Sequence, residues 1–331
     1  MTHSIALRRR KIQQRIFARR THLIGIVNRI RISAAAGAFL LAAGSACAIT
    51  VAGPNPDSSL YMGASSTFGN VYSGVAELMI VRSDLGYGVV EGCSGALLAD
   101  GISILTSAHC IADAKGAQQA TAAYVTFNTA DGTFTERAVG FKVDPLYNGS
   151  STSPNDVAVL TLASPVPNTV ARYGLYTGDA SDQLLTLAGY GFGGTGATGY
   201  DPIDYPFGTL RVGENQYESD PGTDDLMFDF TDGVNAAGAD EAFIAPGDAG
   251  GPSLIDGEIA GVHSYVVLPD GSTPNDLNSS FGEIAADASV AYNLAFIQSA
   301  MFLAPEPRLM ILVGVALIVL SLAGDKRRHH H

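Results

Sequence analysis

"PGDAGGPS", residues 246–253, is the stretch on which the reading of this chain turns. Glycines at 247, 250 and 251 and prolines at 246 and 252 describe a tight loop, because glycine accepts backbone angles that other residues avoid. The tip of that loop is Ala249, next to the acid Asp248. The loop is followed by "GEIAGVHSYVV", residues 257–267, a short β-rich run.

Working outward, the same texture recurs. "GVAELMIV" (74–81), "AAYVTFN" (122–128), "DVAVLTLA" (156–163) and "DLMFDF" (225–230) are short β-rich runs separated by Gly, Asn and Asp turns. Many short strands without a long helical period predict an all-β barrel or sandwich. Residues 286–300, "ADASVAYNLAFIQSA", put Val290, Leu294 and Ile297 on one helical face, which predicts a closing helix. Residues 49–73 are expected to be an extended lead-in to a domain spanning 74–300. "GFGGTG" (191–196) matches a dinucleotide-binding glycine pattern, but "ATGYDPIDYPFG" follows it where that motif requires a helix. It is expected to be a loop.

The two ends have other signatures. Nine arginines and lysines without one acid precede "ISAAAGAFLLAAGSACA", which closes on Ala46-Cys47-Ala48. A basic region, an apolar region and an A-x-A site in that order predict a secretory signal over 1–48, removed by signal peptidase. At the other end, Pro305-Glu306-Pro307, an uncharged apolar run from Leu309 to Ala323 and basic Lys326, Arg327 and Arg328 resemble the PEP-CTERM sorting signal. That resemblance implies transient membrane anchoring through residues 301–331 and cleavage by an exosortase-type sorting enzyme. It also implies export to the periplasm, surface or matrix of a Gram-negative bacterium. A permanent anchor is the alternative.

Residues 49–304 hold 6 of the 19 Lys and Arg and 30 of the 32 Asp and Glu, a net charge of about −24. Such a surface repels nucleic acid. Once the signal is gone, Cys93 and Cys110 are the only cysteines, and in an oxidising compartment they are expected to pair. Two thiols do not complete a tetrahedral metal site, so neither metal nor cofactor is expected. The acidic turns "DPGTDD" (220–225) and "ADE" (239–241) are read as solvated loops rather than Ca²⁺ sites.

Three separated pieces fit one chemistry. "TSAHC" (106–110) carries His109, "NDVAVL" (155–160) carries Asp156, and the opening loop completes the set. Acyl transfer by serine needs an imidazole base, a buried carboxylate to hold its tautomer, two N–H groups aimed at the oxyanion, and a hydroxyl. In this order these motifs resemble the chymotrypsin/trypsin-like serine protease family, over residues 74 to 298. The resemblance implies two antiparallel β-barrels with a C-terminal helix and a peptide or protein substrate. It gives His109 the role of base, Asp156 that of orienting acid, and the N–H groups of Gly247 and Ala249 that of oxyanion hole. It gives Ser264 a contact to substrate backbone, Phe243 the base of the specificity pocket, and Asp248 the structural role of pairing with a newly exposed N-terminal amine. Phe243 implies apolar rather than basic preference.

The departure is Ala249, where the family has its serine. A methyl group has no lone pair to attack with and no proton to give up, and losing the nucleophile costs on the order of 10⁶-fold in rate. Ser253 lies beyond Pro252, entering a strand, and is not expected to substitute. His263 is read as structural. Two functions follow: a secreted endopeptidase whose serine has been replaced, or a natural pseudo-protease that binds peptides or proteins through the same cleft.

Overall fold

The computed structural model describes residues 49–301, except 64–69, 87–88, 131, 219–223, 236–237 and 274–275. The expected signal (1–48), nearly all of the expected sorting tail (301–331) and most of "DPGTDD" lie outside the described residues.

The β-rich runs form strands. Among the described residues the first set is β1 (Ile49–Val51), β2 (Val75–Arg82), β3 (Val90–Leu97), β4 (Ser103–Thr106), β5 (Ala120–Thr129), β6 (Gly132–Val143) and β7 (Ala158–Leu162). The second is β8 (Leu184–Gly189), β9 (Gly193–Thr195), β10 (Gly199–Tyr200), β11 (Arg211–Gln216), β12 (Asp225–Asp229), β13 (Ala242–Phe243), β14 (Pro252–Ile255), β15 (Glu258–Val267) and β16 (Ile284–Ser289). One helix, α1 (Leu294–Ala300), closes the described chain.

Strands β2 to β7 close a barrel in the order β2-β3-β4-β7-β6-β5. Its interior follows from the period-2 pattern of its sequence: along β2, Ala76, Leu78 and Ile80 are buried, and along β5, Ala123, Val125 and Phe127. The second half is a six-stranded antiparallel sheet, β11-β8-β14-β15-β16-β12, accompanied by a four-stranded sheet, β10-β9-β1-β13. It has its own core of Leu187, Phe228, Phe230, Phe243, Ile255 and Ala285. A third core joins the halves: Val75, Leu105 and Val159 of the first pack with Tyr190, Leu254 and Val262 of the second and with Ile297 of α1.

Two local expectations are corrected, and the lead-in proves to hold a strand. The helix begins at Leu294, not at 286, because residues 286–289 continue β16, paired with β15 and β12. Within the lead-in, Ile49, Thr50 and Val51 are fully buried as β1, between β9 and β13. "GFGGTG" contributes β9 and runs through a turn into β10, so it is a small hairpin, with no helix after it.

Candidate active site

His109 sits in a single 3-10 turn, Ala108–Cys110, directly after β4. The turn is tied down from both sides. Cys110 is disulfide-bonded to Cys93 in β3, and the His109 carbonyl accepts a hydrogen bond from the Arg82 guanidinium at 2.6 Å. Arg82 is itself ion-paired to Asp84 and Glu91, each at 2.7 Å.

Asp156, just before β7, is fully buried and faces this turn. Its Oδ1 accepts the His109 backbone N–H at 2.8 Å, and its Oδ2 lies 2.6 Å from His109 Nδ1. An ionised carboxylate only accepts, so Nδ1 carries the proton and Nε2 keeps its lone pair while the ring is neutral. Ser264 Oγ lies within hydrogen-bond distance of both the same Oδ2 and the Ser151 carbonyl, and its single proton is shared between the two acceptors. The His109 side chain keeps 24% of its surface exposed, enough to meet an incoming group, whereas the Asp156 side chain is wholly enclosed. Burial works against the imidazolium, but the charge and hydrogen bond of Asp156, helped by Glu91 and opposed by Arg82, raise His109 above the ordinary histidine value.

The loop at 245–251 is held by its own backbone. The Asp248 N–H donates to the Ala245 carbonyl, the Gly251 N–H to the Asp248 carbonyl, and the Gly250 N–H to the His263 carbonyl in β15. The Gly247 and Ala249 N–H groups take no part in these bonds. Ser94, beside the disulfide, anchors the loop to the first barrel: its N–H donates to the Ala249 carbonyl and its Oγ to the Gly247 carbonyl, both at 2.9 Å. Gly250 has φ +85°, and a Cβ there would lie 2.0 Å from Thr106 Oγ1, so only glycine lets the loop press against β4.

Asp248 is fully buried beneath this loop. It accepts N–H bonds from Gly191 at 2.9 Å and Ala245 at 2.8 Å. Burial pushes its carboxyl up to about 6, against the lowering effect of those bonds and of the His263 and Arg211 charges.

His109, Gly247, Ala249 and Ser264 line one pocket of about 350 Å³, together with Ile244, Val266, Leu277, Ser279 and Glu283. Sequence motifs 47 and 93 residues apart therefore meet at one cleft between the halves. Phe243 does not join them. It is fully buried in β13, stacked on Phe230 with ring centroids 5.0 Å apart, and its neighbour Ile244 faces the pocket instead. Phe243, expected at the pocket base, is thus not among the residues lining this pocket, and Ile244 stands there. Ser253 is buried in β14 with its hydroxyl on Asp287, turned away from the cleft.

Glu283, Arg82 and Ser94 carried no motif and were missed from sequence. Only the long-range pairing of strands brings them here. Among the described residues no group of His, Cys, Asp and Glu is arranged to hold a metal ion, and no helix is long and apolar enough to cross a membrane.

Taken together, the site offers a tautomer-fixed imidazole, a glycine loop with two N–H groups that have no hydrogen-bond partner among the described residues, and a methyl where a nucleophile would stand. No curated protein matches the chain. A solved structure, HL collagenase at 1.7 Å resolution, is similar in fold: the TM-score is 0.51 and the identity 20%, over 69% of this chain and 93% of that one. The family model described as Trypsin matches residues 79–278, a span that contains His109, Asp156 and the 246–253 loop. The chain belongs to the trypsin family.

Proposed function

We propose that this chain is an exported, trypsin-like endopeptidase scaffold whose acyl-transfer site is complete except for its nucleophile. The observation that carries the reading is the His109–Asp156 pair, 2.6 Å apart, beside a glycine loop whose tip is Ala249. His109 acts as base and acid, Asp156 orients it and stabilises the imidazolium, and the Gly247 and Ala249 N–H groups receive the oxyanion. The substrate is a peptide or protein, as the family implies. With Ala249 the chain does not form an acyl-enzyme, and the same cleft leaves it a binding module for peptides.

Export fits the local structure at Ile49. This β-branched residue has φ +71°, a conformation such side chains rarely adopt. Cleavage after Ala48 abolishes that dihedral and leaves β1 as the first element. The mature chain is then expected to start at Ile49 and to end near Pro305–Pro307, which intact mass of the exported protein checks. Retention of residues 309–328 in exported protein favours a permanent anchor.

The test of the catalytic reading is Ala249→Ser. It adds one oxygen to a loop that already makes the required turn. The variant is expected to react with a fluorophosphonate probe at residue 249, and His109→Ala is expected to abolish that labelling. A folded, disulfide-bonded Ala249→Ser protein that takes no probe leaves the binding-module reading.

A further inference from the structure

The His109 turn rests on a buried arginine that no motif announced. Arg82, the last residue of β2, is 7% exposed. Its Nε and Nη2 grip the two oxygens of Asp84 at 3.1 and 2.7 Å. Its Nη1 donates to Glu91 Oε2 at 2.7 Å and to the His109 carbonyl at 2.6 Å. Asp84 is local in sequence, whereas Glu91 comes from the facing strand β3, where Ile80 pairs with Glu91 itself. Two carboxylates from different directions therefore fix the planar guanidinium before it meets the turn. They also balance its charge, so the contact to the carbonyl is not what makes burial of the arginine affordable.

The turn cannot serve that carbonyl itself. In a continuing helix the His109 carbonyl would accept the N–H of residue 112 or 113. Here the Ala112 N–H goes to the Ala108 carbonyl and the Asp113 N–H to the Ala117 carbonyl, both at 2.9 Å. The helix stops after one turn, and Arg82 supplies the donor that the stop removes. The consequence reaches the side chain. Asp156 holds the His109 N–H at 2.8 Å, and Arg82 holds the His109 carbonyl from another strand. Pinning the peptide groups on both sides of one Cα fixes the direction of its Cα–Cβ bond. The imidazole then meets Asp156 Oδ2 without further adjustment.

We propose that Arg82 is a positioning residue for the acyl-transfer site, acting through the His109 carbonyl to hold the imidazole between Asp156 and residue 249. The proposal rests on reading His109 as the base, and it assigns Asp84 and Glu91 the task of aiming the arginine. Lysine is not an equivalent, because an ammonium is a compact point donor. It cannot grip Asp84 with two prongs and reach Glu91 and the carbonyl at the same time. The role is one of alignment. A ring that swings on a loosened turn keeps its charge and its carboxylate partner but loses the short contact that fixes its tautomer.

The test reads the imidazole itself and needs no catalysis. In the Ala249 protein, NMR follows solvent exchange of the His109 Nδ1–H and backbone N–H, both bonded to Asp156 and assigned by their loss in His109→Ala. His263 is the internal reference, since its Nδ1 is bonded to Asp287 and its N–H to the Gly251 carbonyl. Arg82→Met is expected to speed exchange at His109 about ten- to hundredfold, the size of one charge-assisted hydrogen bond. His263 is expected to stay within about twofold of the parent. Unchanged exchange at His109 overturns the proposal. So does equal acceleration at both histidines, which is a global loss of stability. Should Arg82→Met fail to fold, Arg82→Lys decides by the same comparison, because it keeps the charge and loses the fork. In an Ala249→Ser background, Arg82→Met is expected to lower kcat about ten- to hundredfold with KM within about twofold. Failure here is distinct from failure of the catalytic reading. An Ala249→Ser protein that takes no fluorophosphonate while exchange responds selectively to Arg82→Met overturns the catalytic reading alone. One that is labelled, with exchange and kcat indifferent to Arg82→Met, overturns the role of Arg82 alone.

Discussion

His263 Nδ1 lies 2.9 Å from Asp287 Oδ1, and both side chains are wholly buried. Among the described residues there are therefore two imidazole–carboxylate pairs, separated in role by access: His109 keeps a quarter of its surface open and His263 none. Asp287 is also the acceptor for the Tyr217 hydroxyl at 2.6 Å and for Ser253. Burial and the Asp287 charge push the Tyr217 phenol well above its ordinary range, so it remains a donor at every working pH. The cluster ties β14, β15 and β16 together behind the loop that carries Ala249.

Asp287→Ala strands all three donors in the core. The expected loss is about 3–5 kcal/mol, the usual cost of removing one partner of a buried charged network. Urea unfolding of the two proteins measures it. A loss under about 1 kcal/mol would show that the cluster is not the brace described here.

The activity of Ala249→Ser should rise with pH, because only neutral His109 accepts the nucleophile's proton. With the histidine raised above 6.5, the midpoint of kcat/KM should lie above that value. Asp156→Asn removes the charge responsible, so the midpoint should fall, with a rate loss on the order of 10⁴-fold, as found for this substitution in a Ser-His-Asp triad. The linked stability has the matching sign: it is present in full below about pH 6.5 and lost as pH rises through the folded-state value. An unchanged midpoint in Asp156→Asn refutes the pairing's electrostatic role.

Asp248 contributes with the same sign, in a lower pH window. Its carboxyl moves from 3.8 to about 6 on folding, so between those values the folded chain holds more protons than the unfolded one. Stability contributed by this group therefore falls as pH rises from about 4 to 7, by roughly 2–3 kcal/mol. Unfolding free energies at both pH values should show that fall in the parent and not in Asp248→Asn. Parallel pH dependence in the two proteins counts against it.

The Cys93–Cys110 bond closes a loop with a sequence separation of 17. In the chain-entropy treatment such a loop contributes about 3 kcal/mol. Replacing both cysteines with alanine should cost that much in urea unfolding. It should also loosen the His109 turn, seen as faster amide exchange at residues 108–112.

The sequence by itself determined the β-rich architecture, because alternation along Val75–Arg82 and Ala120–Thr129 leaves only one face to bury. It also determined the loop at 246–253, since glycine alone accepts φ +85° against Thr106 at position 250. His109, Asp156 and Ala249 were legible because each sits in a short local motif. The boundary of α1 was not, because the same apolar residues serve a strand up to Ser289 and a helix from Leu294. Tertiary structure alone decided which side chains face the cleft. Phe243 and Ile244 are neighbours in sequence, yet stacking on Phe230 draws one into the core and turns the other to the pocket. Glu283 reaches that pocket only because β16 pairs with β15 and its preceding turn folds back over the carboxylate. Local propensity fixes what a segment becomes; long-range strand pairing fixes what it faces, and no spacing in the chain encodes the second.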